Sequence, residues 1–142
     1  MNKKKVLFVC IHNSARSQMA ETFLNQLGAP DYTAESAGIE PGKLNPVVVE
    51  AMQEIDIDIS NNRTKDVSEF LNNGTNYAYV ITVCDETSAE RCPVLPGVEN
   101  RLHWSFTDPS TFQGTPAEKL AQTRIVRDQI KARIEEFVYS GA

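Results

Sequence analysis

The chain has 142 residues and a mass of 15.8 kDa, which suits a single domain over 1–142, since domains commonly run about 100–200 residues. Its composition, 41% hydrophobic and 23% charged, excludes wholesale disorder. A formal net charge of -5 and a pI near 5.0 argue against nucleic acid and anionic membranes as partners, because both select positive surfaces.

The first element is the apolar run KVLFV at 5–9, which reads as a buried strand. A polar loop leads into residues 17–27, where Met19, Ala20, Phe23, Leu24 and Leu27 fall at helical spacing and Gly28 ends the helix. Residues 32–37 (YTAESA) predict a weaker strand closed by Gly38. Asn45-Pro46 starts the next helix, Asn as N-cap and Pro at the first helical position. A short helix is expected over 64–71. The stretch YAYVITV at 77–83 is aromatic and β-branched and is the clearest strand. Residues 84–97 read as a loop and 101–106 as a short strand. Thr115-Pro116-Ala117-Glu118 is a capping box. It opens a last helix whose Val126, Ile130, Ile134 and Phe137 form one stripe.

Strands alternating with helices predict an α/β class fold: a three-layer α/β/α domain on a four-stranded parallel sheet. Ligands of such sheets bind beyond the carboxyl ends of the strands. Cys10, Cys84 and Asp108 all fall at or just past such ends.

Three cysteines are odd and few for a disulfide-stapled secreted domain. The start MNKKKVLFVC holds too short an apolar run for a secretory signal, and no stretch approaches the length of a membrane span. A reducing cytoplasm is therefore the expected setting. There the thiols are free, metal-bound or catalytic. His12, His103 and the cysteines show neither C-x2-C nor H-x3-H pairing, which argues against structural zinc.

The loop CIHNSARS, from Cys10 to Ser17, carries the chemistry. Between a buried strand and a helix N-terminus, successive backbone N–H groups turn inward and form an anion nest. A helix N-terminus also favours the thiolate form of a cysteine placed there. Arg16 can offer paired N–H bonds to a tetrahedral oxyanion, and Ser14 and Ser17 can add hydroxyl donors. Asn13 tolerates a left-handed backbone and can hold the loop's shape. The expected oxyanion cradle is thus His12, Asn13, Ser14, Ala15, Arg16 and Ser17, with Cys10 as nucleophile. On its own, the spacing of Cys10 and Arg16 also fits a small buried thiol and an unrelated surface charge.

The blocks CIHNSARSQMAE, SAGIEPGKLNP, EAMQEIDIDIS, VITVCDETSAERCP, HWSFTDP and IVRDQIKARIEEF occur in order along nearly the whole chain. Together they resemble the low-molecular-weight protein tyrosine phosphatase superfamily, and more closely its thioredoxin-coupled arsenate reductase branch. Gln18 stands where the phosphatases carry proline. Ser110-Thr111 follow Asp108-Pro109 where they carry tyrosines. The phosphatases also lack a pair like Cys84 and Cys92. His12 and Ala15 depart from the Gly and Cys of better-known reductases.

The resemblance implies a mechanism. Arsenate, with phosphate and sulfate as analogues, binds the loop and Arg16. Cys10 attacks arsenic while Asp108 acts as general acid. Cys84 and Cys92 then relay a disulfide that thioredoxin, an external thiol reductant, reopens. The resemblance also implies a potassium ion held by Asn13, Glu21, Ser36 and Asp66, whose oxygens suit a hard cation. No tightly bound cofactor and a monomer are expected. The alternative is a phosphatase of the same fold acting on phosphotyrosine or small esters, with Cys84 and Cys92 as redox guards. A non-catalytic phospho-ligand or redox-sensing module is a third reading, weakened by the retention of Cys10, Arg16 and Asp108.

Overall fold

The computed structural model describes residues 4–71, 77–83 and 100–140, without the side chain of Leu71. In chain order it holds β1 (Lys4–Cys10), α1 (Arg16–Leu27), β2 (Tyr32–Gly38), α2 (Pro46–Gln53), α3 (Ser68–Leu71), β3 (Tyr79–Thr82), β4 (Arg101–His103), a 3-10 turn (Pro109–Thr111) and α4 (Pro116–Ser140). The sheet is four-stranded and parallel throughout, in the order β2-β1-β3-β4. Central β1 pairs with β2 over its whole length, from Lys4 opposite Tyr32 to Cys10 opposite Gly38.

Period-two alternation sends Val6, Phe8 and Cys10 to one face of the sheet. They pack there with Met19 and Phe23 of α1, Met52 of α2, and Val126, Ile130, Ile134 and Phe137 of α4. Leu7 and Val9 face the other way, toward Ala37, Val67, Phe70 and Val80. Among the described residues only α3 covers that second face, so the two helical layers are unequal. Trp104 is buried against Phe8 and Phe137, with Arg133 stacked over its ring.

The caps explain the helix starts. Asn45 Oδ1 accepts from the N–H groups of Val47 and Val48, with Pro46 at the first helical position. Thr115 Oγ1 accepts from Glu118 N, and Glu118 Oε1 accepts from Thr115 N, the two halves of the capping box.

Three expected elements are shorter than the sequence suggests. The 77–83 strand pairs over Tyr79–Thr82, and the 101–106 strand over Arg101–His103. The expected helix over 64–71 is helical over Ser68–Leu71 alone. Asp66 bridges Gly38 instead: Gly38 N donates to Lys65 O, and Val67 N to Gly38 O. Sheet pairing outcompetes helix formation there, because it satisfies the backbone groups at the end of β2. This lays residues 64–67 alongside the first loop.

Candidate active site

The loop leaves β1 at Cys10 and enters α1 at Arg16, so the sheet and the helix fix its two ends. Ala15 precedes the helix without a side-chain cap, which leaves the first helical N–H groups for a ligand. Asn13 has φ 55°, the left-handed backbone that Asn accepts better than most residues, and is fully buried. That turn aims Asn13 N at Cys10 Sγ, 3.0 Å away.

The Asn13 side chain works behind the loop. Its Nδ2 donates to Ser17 Oγ at 2.7 Å. Ser17 Oγ lies 2.9 Å from Cys10 Sγ. With its lone pair engaged by Asn13, Ser17 can direct its hydroxyl proton at the sulfur. Two donors thus converge on Cys10, an arrangement suited to a thiolate nucleophile.

Arg16 is buried. Its Nη1 donates to Phe106 O at 3.1 Å, and its Nη2 lies 3.5 Å from Asp108 Oδ2. Asp108 stands ahead of the 3-10 turn, where its Oδ1 accepts from Ser110 N. Cys10, His12, Ser14, Ala15, Arg16 and Asp108 line one small pocket at the carboxyl end of β1. A wider groove of about 320 Å³ adjoins it, bordered by Ser14, Lys43, Asn45, Ser110 and Lys119.

The structure therefore brings together Cys10, Arg16, Asp108 and most of the expected cradle. Asn13 and Ser17 stand apart from the pocket lining, because they hold the sulfur and the loop from behind. Cys84 and Cys92 lie outside the described residues.

The four residues implied as potassium ligands do not present a ligand set. Glu21 Oε1 accepts from Ser36 Oγ at 2.7 Å and meets the Lys65 ammonium at 3.1 Å. Asn13 Oδ1 accepts from Gln18 Nε2 and Lys65 N. Asp66 Oδ1 accepts from Ser68 N. Glu21 Oε1, Asn13 Oδ1 and Asp66 Oδ1 are thus already engaged and an ammonium sits at Glu21, so the four residues as placed do not fit a potassium ion.

Two supporting residues escape a reading of the sequence. Gln18 is fully buried and ties the loop to its neighbour: its Nε2 donates to Asn13 O, Asn13 Oδ1 and Arg63 O, and its Oε1 accepts from Asn62 Nδ2. Gly38 presses on the loop from the side. A Cβ there would lie 2.7 Å from Ile11 O and 2.9 Å from both Asn13 N and His12 C. No periodicity marks Gln18, whereas Gly38 carries a signal in being a glycine at the end of a strand beside the loop.

Known proteins agree with this architecture. Residues 5–140 match the low molecular weight phosphotyrosine protein phosphatase family. The arsenate reductase of Bacillus subtilis strain 168 is 44% identical over 143 residues, covering 99% of each chain. A solved arsenate reductase in its phosphate binding state superposes with a TM-score of 0.78 at 34% identity, over 96% of this chain and 97% of that one. The thioredoxin-dependent arsenate reductase of Corynebacterium glutamicum superposes with a TM-score of 0.68 at 26% identity, over 99% of this chain and 62% of that longer one. Fold, loop and full-length identity agree: the chain belongs to the low-molecular-weight phosphotyrosine protein phosphatase family and, within it, to the arsenate reductases.

Proposed function

We propose that the protein reduces arsenate to arsenite in the cytoplasm as a monomer, with thioredoxin as the external reductant. The observation that carries this reading is the convergence of Cys10, Arg16 and Asp108 on one pocket at a helix start. Arsenate sits over the loop N–H groups, and Arg16 turns its guanidinium from Asp108 toward the oxyanion. Cys10 thiolate attacks arsenic, and the displaced oxygen leaves as water with the Asp108 proton. Cys84 thiolate then attacks Cys10 Sγ. The Cys10–Cys84 bond forms, the sulfur–arsenic bond breaks, and its electron pair reduces arsenic(V) to arsenic(III). Cys92 attacks Cys84 next, which frees Cys10 as thiolate and leaves a Cys84–Cys92 disulfide. A thioredoxin dithiol reduces that disulfide, so two electrons enter for each arsenite released.

The test is NADPH loss with arsenate, thioredoxin and thioredoxin reductase. Wild type should turn over continuously. Cys84→Ser and Cys92→Ser should stop after at most one turnover. Normal turnover by Cys84→Ser would sink the relay.

The groove beside the pocket favours a second activity at the same loop. It offers room for the organic part of a small phosphate ester, so slow aryl phosphate hydrolysis should survive in both serine variants. Strong hydrolysis without arsenate turnover would make phosphatase the principal function.

A further inference from the structure

We propose that the Lys65 ammonium is a built-in cation for the scaffold beneath the catalytic loop, so that the protein holds this loop without a bound alkali ion. Lys65 Nζ lies 3.1 Å from Glu21 Oε1, with the two side chains only 15% and 17% exposed. The same oxygen accepts the Ser36 hydroxyl at 2.7 Å. Glu21 belongs to α1 and Ser36 to β2, so one ammonium neutralises a carboxylate held between the helix that follows the loop and the strand paired with β1.

The backbone of Lys65 continues into the loop itself. Its N–H donates to Asn13 Oδ1 at 2.9 Å, and its carbonyl accepts Gly38 N at 2.8 Å. Asn13 then reaches the nucleophile through Ser17 Oγ and through its own N–H on Cys10 Sγ. Lys65 is thus a positioning residue, linked to Cys10 through Asn13. A second cation brought to Glu21 would meet the ammonium at contact distance in a half-desolvated site, where like charges repel strongly. A cation bound from solution acts according to its concentration. A tethered one acts at every salt composition.

The experiment replaces KCl with choline chloride at constant ionic strength, for wild type and Lys65→Met. Two readings are taken: the thermal unfolding midpoint and the KM for arsenate. The midpoint needs no arsenate chemistry, so it stands even where the reductase reading fails. Wild type should give the same values in both salts. Lys65→Met in choline should unfold at lower temperature through the loss of one charge-assisted hydrogen bond, and should show a KM raised by up to about tenfold, the limit in which that whole loss is felt at the loop. Its kcat should change less. Potassium should restore both the midpoint and the KM of Lys65→Met. A wild-type midpoint or KM that tracks potassium overturns the proposal. So does a Lys65→Met variant that behaves as wild type in choline, or one that potassium fails to restore, since Lys65 is then an ordinary ion pair. If Lys65→Met is unfolded in choline, folding on addition of potassium supports the proposal, and failure to fold in either salt overturns it.

Discussion

Gly38→Ala tests whether close backbone packing shapes the catalytic loop. The added Cβ would stand 2.7 Å from Ile11 O and 2.9 Å from Asn13 N and His12 C. All three are main-chain atoms of the loop, so no side chain can swing aside. Carbon settles near 3.5 Å from its neighbours, and the loop would have to retreat by about 0.6–0.8 Å. Gly38 cannot retreat in its place: its N–H donates to Lys65 O and its carbonyl accepts Val67 N. Overpacking of this kind costs about 1–3 kcal/mol. A shift approaching 1 Å in a catalytic group can cost roughly a hundredfold in rate. We therefore expect urea unfolding to report about 1–3 kcal/mol of lost stability, and kcat/KM for arsenate to fall by about ten- to a hundredfold. Gly42→Ala is the control. Its Cβ would meet only the His12 side chain, at 3.5 Å and beyond, and both readings should stay near wild type. The reasoning fails if Gly38→Ala is as stable and active as Gly42→Ala.

Asp108→Asn tests the proposed proton donor and removes the carboxylate that faces Arg16 at 3.5 Å. It should lower kcat by about 10²–10⁴ while phosphate binding is kept or tightened; an unchanged kcat would remove Asp108 from the proton transfer. Glu54, which caps α2, is held below its ordinary pKa of 4.5 first by the hydrogen bond from Arg124. A carboxylate depressed in the folded state adds stability above its unfolded pKa and loses it as pH falls through the folded one. Glu54→Gln should therefore flatten the decline of the unfolding midpoint as pH drops below 4.5, and an unaltered acid profile would show that the pair with Arg124 is silent.

The parts of the site that were legible in the sequence are those where one residue type answers one local demand. Cys10 and Arg16 bracket a strand-to-helix turn, and Asn13 meets that turn's need for positive φ. The Asn45-Pro46 start and the Thr115–Glu118 box are likewise local, and both form as expected. The residues that stayed hidden act across the chain. Gln18 reaches Arg63, and Lys65 reaches Glu21 and Asn13, over separations that no window of neighbouring residues contains. The misjudged helix over 64–71 had the same cause. Its local pattern suited a helix, but residues 64–67 were claimed by the end of β2, through Gly38. That one non-local pairing brings Lys65 to the loop, and with it the ammonium that meets Glu21. Neighbours in sequence set the caps and most of the elements, whereas the support of a catalytic loop, and the 64–67 pairing that supplies it, are set by neighbours in space. The loop itself points to Cys10 as nucleophile, and the resemblance to known reductases implies the relay. Only the fold shows the Lys65 ammonium at Glu21 and its backbone N–H on Asn13 of the loop.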